Sequence, residues 1–344
     1  MGVALVTMSL VTVPYFSQAP GSATPLEALI EVEGTEEFPS DGEIFFTTVR
    51  LTGELSVLEY IGAWFDSSVE LIDEDLVLQG QSRDQQRERN LAMMTASQEV
   101  AKRVALDHLG YDVIDPNGAL IVGVEPDSGA NGVLERGDVV VEAGGLQIIA
   151  QQDLVDQIRA REPGAELDLI VMRPIDDVTQ DDELESERLE LVVVLGESDV
   201  PGRALMGVNI QQSIDLVDLP FEIEVNTSSV GGPSAGLALT LSMFDLLTEG
   251  ELTGGIEVAT TGEINLAGAV LAIGGVEQKA HAVRRAGIDL FLVPAANYEA
   301  AAEAAGDELE VVAVDTFADA VRELAVRGGN GLEFLQDASL APAA

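Results

Sequence analysis

The sequence predicts an α+β fold on three observations. Short runs rich in β-branched and aromatic residues are bounded by Gly, Asp and Pro turn signals. Other stretches carry apolar residues at helical spacing. The length of 344 residues with 47% apolar content suffices for two or three domains with cores of their own. Composition narrows function before any element is considered. Seventeen basic side chains face 61 acidic ones, a net charge of −44. Such a surface repels phosphate backbones, which excludes nucleic acid as a partner, and it suits salty surroundings. With no cysteine, disulfides, thiolate zinc sites and cysteine nucleophiles are all excluded. The two histidines, His108 and His281, leave little room for a metal site or a Ser-His-Asp triad, so no metal or organic cofactor is implied. Lys102 and Lys279 are the only lysines, beside fifteen arginines.

No charged residue precedes Glu27, and residues 1–16 (MGVALVTMSLVTVPYF) are almost wholly apolar. A full membrane span needs about 20 apolar residues. Three readings stand: a signal peptide, a buried strand, or a membrane anchor with its linker over residues 1–26. The anchor is the expectation carried forward, with a single pass and the rest of the chain outside the cytoplasm.

A first block, residues 27–112, opens with strand-like runs such as EIFFTTVRLT at 43–52, after the turn signal Asp41-Gly42. It closes with a helix over 96–109, where Val100, Val104, Ala105 and Leu109 share one face. The polar stretch 79–90 between them reads as an exposed loop or helix face. A second block, residues 113–198, alternates strands and turns: strands at 119–125, 139–142, 166–172 and 188–195, a helix at 152–161, and an acidic run at 176–187 that reads as a solvated hairpin loop. A third block covers 199–327, with residues 328–344 as a loose Gly- and Ala-rich tail.

The chemistry lies in the third block. A strand at 220–225 leads through a polar turn into Gly231-Gly232-Pro233-Ser234-Ala235-Gly236, and a helical pattern runs on to Leu247. Ser234 therefore sits where free N–H groups and the positive end of a helix dipole favour a developing oxyanion. A plain helix N-cap would use the same residues. Farther on, ATTGEI and LAGAVLAI read as two strands around a turn, and a helix from about Gly275 to Ala286 carries Lys279. A serine hydroxyl needs a base, and a lysine serves if burial leaves its amine neutral. A solvated surface lysine is the plain alternative.

The second block resembles a bacterial protease-associated PDZ domain through its strand ALIVGVE, the turn at 126–130 and LERGDVVVEAGG at 134–145. The resemblance implies that a peptide would lie between the strand at 119–124 and the helix at 152–161, adding a strand to the sheet. The blocks GGPSAG (231–236), TGEINLAGAVLAIGG (261–275) and QKAHAVRRAGIDLFLVPAAN (278–297) resemble, in order and spacing, the proteolytic domain of Lon proteases. That resemblance implies Ser234 as nucleophile, Lys279 as general base and Thr261 holding the lysine, with Gly232 and Pro233 in support. Many Lon proteases carry an acidic residue three positions before the serine, where this chain has Gly231.

No GxxxxGK[ST] loop occurs in the sequence. The combination resembles membrane-anchored bacterial PDZ–Lon proteases (YlbL-like). It implies a Lon-type domain with an inserted or adjoining PDZ domain and an N-terminal apolar anchor. Strand 43–52 then belongs to the catalytic sheet. The function implied is an ATP-independent serine endopeptidase acting on unfolded or tail-exposed proteins, with a homo-oligomeric ring as a further implication. A non-catalytic membrane-tethered PDZ adaptor is the alternative.

Overall fold

The computed structural model describes residues 11–174, 186–198, 200, 202–227 and 230–336. The chain forms two compact units, one from Met1–Asp112 with Leu219–Ala344 and one from Val113–Asp218.

In the first unit the chain runs through β1 (Tyr15–Pro25), β2 (Ile30–Glu33), β3 (Glu43–Thr52), α1 (Val57–Phe65), β4 (Glu70–Asp73), α2 (Glu74–Leu78) and α3 (Arg83–His108). After the second unit come β13 (Glu222–Val225), α5 (Gly236–Leu246), β14 (Glu257–Thr260), β15 (Glu263–Ile264), β16 (Val270–Leu271), α6 (Val276–Ala286), β17 (Leu290–Pro294), α7 (Tyr298–Ala305), β18 (Glu310–Val314) and α8 (Phe317–Val326). Six strands form a mixed sheet in the order β18-β17-β14-β3-β1-β4. The strands from β18 to β3 are parallel, and β1 and β4 are antiparallel to their neighbours. All five residues of β17 are buried, as expected of a parallel strand covered on both faces. Every residue of α5 is buried as well. Its sequence GLALTLSMFDL is apolar on all sides, the composition of a central helix rather than an amphipathic surface one. Strand 43–52 sits inside this sheet, parallel to β14.

Three expectations are corrected here. The stretch assigned to an anchor and linker is, from Tyr15 to Pro25, a strand paired on both sides, with Phe16 buried. Residues 1–10 lie outside the described residues. Among the described residues, no helix is long and apolar enough to cross a membrane. Of the two readings of the polar stretch 79–90, the structure shows the helix face: it is largely the first two turns of α3, started by a capping box in which Ser82 and Gln85 satisfy each other's backbone N–H groups. Residues 328–336 of the tail are held in place. Asn330 bonds to Glu249 and Glu251, and the Gln336 N–H donates to the His108 carbonyl. Residues 199–218 belong to the second unit, not to the catalytic block.

That second unit comprises β5 (Ile114–Val124), β6 (Val139–Ala143), β7 (Leu146–Gln147), α4 (Gln151–Arg159), β8 (Glu166–Pro174), β9 (Ser186–Val194), the short pair β10 (Gly196–Glu197) and β11 (Ala204–Leu205), and β12 (Val208–Leu216). Its main sheet has the order β12-β5-β6-β8-β9. β8 and β9 pair as a hairpin, and of the acidic run 176–187 residues 176–185 lie outside the described residues. The two ends of the unit meet: the Val217 N–H donates to the Val113 carbonyl. The core gathers Ile121, Val140, Ile148, Leu154, Leu167 and Val193. The LERGD turn is held by Asp138, fully buried, which receives both Nε and one Nη of Arg173 at 2.7 Å and also caps the Glu135 N–H. Removing that carboxylate leaves Arg173 with the Glu135 carboxylate and the Val133 carbonyl as acceptors, and strips a turn amide of its acceptor. Asp138→Ala is expected to destabilise this unit by about 3 kcal/mol, measured by denaturant unfolding with hydrogen exchange resolved over residues 113–218.

Candidate active site

Ser234 lies two residues before Gly236, the first residue of α5, at the end of the Gly231–Pro233 loop. Its carbonyl is held from two sides: the Gly262 N–H donates to it at 3.0 Å and the Thr261 hydroxyl at 3.1 Å. The Leu237 N–H returns a bond to the Gly262 carbonyl. The helix start is thus clamped to the turn between β14 and β15. A side chain at 262 would strike Val270, and φ there is +150°, so glycine is required. Among the described residues, the N–H groups of Ser234 and Ala235 enter no backbone bond of the loop, and both residues line the cleft.

Lys279 sits on the first turn of α6, 2% exposed. Its Nζ lies 2.6 Å from Ser234 Oγ and 2.9 Å from Thr261 Oγ1. Burial pushes its pKa down to about 7, so at neutral pH a large fraction of the amine is uncharged. Ser234, Thr261 and Lys279 therefore form one hydrogen-bonded group. Lys102, in contrast, pairs with Glu99 near the surface. His108 stacks near Phe317 and bonds to the Gln336 carbonyl, and His281 is set among Arg284, Arg285, Asp66 and Glu277. Among the described residues no group of three or more His, Asp or Glu is arranged to hold a metal.

The cleft around Ser234 has a volume of about 690 Å³. One wall is α3, which sequence reasoning left out of the site. The Asn90 carbonyl accepts the Gly232 N–H at 2.8 Å, and the Ser97 hydroxyl donates to the Pro233 carbonyl at 3.1 Å. A Cβ on Gly231 would lie 2.8 Å from the Asn90 Cβ and 3.1 Å from its carbonyl carbon. The helix occupies the space an acidic side chain at 231 would need. Met93 and Met94 of α3, with Leu29, Phe46 and Ile273, give the cleft its apolar lining. The signal for this wall was present in the Ser82-x-x-Gln85 cap and in the buried positions Met94, Ser97, Ala101, Val104 and Ala105, which continue the helical spacing backwards.

The second unit carries a cleft of its own, about 550 Å³, between α4 and β12. Val155, Ile158 and Arg159 line it from the helix, and Met206, Gly207, Val208 and Ile210 from the strand and the loop before it. The strand at 119–124 is not its edge. β5 lies between β12 and β6 in the sheet, whereas β12 ends it.

Residues 221–327 match the family described as the Lon protease (S16) C-terminal proteolytic domain. A mitochondrial Lon protease homolog of Phaeodactylum tricornutum is 37% identical over 114 residues, 32% of this chain and 13% of that protein. The Lon protease of Helicobacter pylori is 34% identical over 116 residues, 34% of this chain and 13% of that protein. The matches thus span a small part of these relatives' length. Among solved structures, the PDZ domain of an SdrC-like protein from Listeria innocua is similar at 20% identity, covering 27% of this chain and 93% of that one, with a TM-score of 0.23.

The depressed lysine has a consequence for stability. In the unfolded chain its amine titrates near the ordinary lysine value, roughly 10.4, so between pH 7 and 10 the unfolded state binds more protons and stability rises with pH. Urea unfolding is expected to show this rise for the wild type relative to Lys279→Met, which lacks the titrating group.

Proposed function

We propose that this chain is a serine endopeptidase that works without ATP, with Ser234 as nucleophile and Lys279 as general base. The observation that carries the reading is the 2.6 Å contact between a buried amine and a hydroxyl at a helix start, within a segment similar to Lon proteolytic domains. The neutral amine takes the Ser234 proton as Oγ attacks the scissile carbonyl carbon. The carbonyl oxygen, now negative, faces the N–H groups of Ser234 and Ala235. Collapse of the tetrahedral intermediate breaks the C–N bond, and the lysine ammonium returns its proton to the leaving amine. Water, deprotonated by the same amine, then hydrolyses the Ser234 ester. Thr261 accepts a hydrogen bond from Lys279 and donates one to the Ser234 carbonyl, so it aligns the base with the nucleophile.

In the same reading the second unit captures extended chain ends. A peptide added to the free edge of β12 would lie along α4, with the backbone amides of the Leu205–Val208 loop near its terminal carboxylate and Val155, Ile158 and Ile210 around its last side chain. Capture raises the local concentration of a tethered substrate, so unfolded or tail-exposed proteins are the substrate class.

A fluorescently labelled unfolded protein is expected to be cleaved without ATP. Ser234→Ala and Lys279→Ala should each lower kcat by at least ~10³-fold, and Lys279→Arg should not rescue, because guanidinium stays protonated. In the wild type, cleavage should rise with pH through about 7 and then level off as the amine deprotonates. Cleavage that survives in Ser234→Ala would refute the assignment. For the second unit, an apolar-ended peptide should bind the Ser234→Ala chain in an anisotropy assay. Amidating its C-terminus should weaken binding by about tenfold or more, the loss of a charge-assisted contact. Equal binding of acid and amide would remove carboxylate capture.

A further inference from the structure

Helix α1 stands apart from the other helices of the catalytic unit. Its sequence, VLEYIGAWF, has one charged residue, Glu59, and none of its residues is buried. The large apolar side chains share one arc of the helix, opposite Glu59, Gly62 and Ala63, and such an arc ordinarily faces a protein core or lipid. Here that arc is covered in part: Tyr60 packs on Tyr15 of β1, ring centroids 5.0 Å apart. Beside Tyr60 on the same arc, Ile61, Trp64 and Phe65, spaced i, i+3 and i+4, form an open face. They are 37%, 71% and 76% exposed, with the Trp64 and Phe65 rings edge to face at 5.1 Å.

The position of this face in the chain points to what covers it. The Val57 N–H donates to the Val11 carbonyl, Thr12 bridges Ser56, and Val11 is itself half exposed. The sequence before Val11, residues 1–10 (MGVALVTMSL), has no charged residue. Trp and Phe next to an uncharged apolar segment match the chemistry of a membrane–water interface, where amphipathic aromatic rings sit at headgroup level. The charge of −44 and the flanking Glu54, Glu59 and Asp66 disfavour an anionic surface.

We propose that α1 is a membrane-docking element, lying on a zwitterionic bilayer with Ile61, Trp64 and Phe65 at the headgroup–acyl boundary. It does not depend on the peptidase reading, since none of these residues lines the Ser234 cleft.

Trp64 is the only tryptophan of the chain, so its fluorescence reports on this face alone. Adding phosphatidylcholine vesicles to the full chain should shift Trp64 emission to the blue, and brominated acyl chains should quench it. Ile61→Ser with Phe65→Ser should weaken partitioning by about tenfold or more, with circular dichroism and thermal midpoint unchanged, and anionic lipid should weaken it further. Three results overturn the proposal. Trp64 emission that ignores the vesicles, whether or not the chain co-sediments with them, removes the docking face. A blue shift that follows protein concentration without lipid assigns the face to a second copy. Partitioning unaltered by the double substitution assigns any binding to residues 1–10 alone.

Discussion

An ammonium taken out of water costs several kcal/mol unless a counter-charge accompanies it, and around Lys279 burial pushes the pKa down. The lysine is therefore tolerable in the fold chiefly as a neutral amine. Much of the catalytic unit serves that condition. α6 brings the residue in on its first turn, the β14–β15 turn supplies the Thr261 hydroxyl as its polar partner, and α5 delivers Ser234 from the opposite side. A carboxylate at position 231 would favour the charged amine. The close approach of Asn90 to Gly231 leaves no room for one. The departure from the Lon pattern at 231 is thus consistent with a base that relies on desolvation.

The parts legible in the sequence were those whose signal is local. GGPSAG, TGEI and the Lys279 helix each combine glycines that a tight backbone demands with a change in apolar period, and their spacing is fixed by the strands between them. The α3 wall was hidden for a different reason. The early turns of that helix are mostly polar and solvated, so hydrophobic periodicity is weak there, and only the capping box marks its start. β1 was obscured because an uncharged apolar run reads alike as anchor, signal or strand. Its place was set by partners distant in the chain, β3 and β4.

The strand bordering the second unit's cleft was misplaced on similar grounds. ALIVGV at 119–124 is a continuous apolar run, which suits a strand paired on both sides better than an edge. β12, with VNIQQSIDL, alternates more and is polar enough for a free edge, and it follows rather than precedes the rest of its unit. Strand order in space, unlike strand identity, depends on pairings that no local pattern encodes.

The bond between Val217 and Val113 bears on how the protein is made. Once the second unit has folded, its two ends are joined, so the first unit meets a short connection where the sequence has a long insertion, and little loop-closure entropy opposes the joining of its halves. Yet α3 and β3 leave the ribosome well before the segments that carry Ser234 and Lys279. A nascent chain consequently holds cleft walls without a nucleophile, and β17 and β18 must follow before the parallel sheet is complete. If the proposed peptidase reading holds, the order of synthesis itself keeps the growing polypeptide inert, a role that hydrolases elsewhere assign to a removable pro-segment.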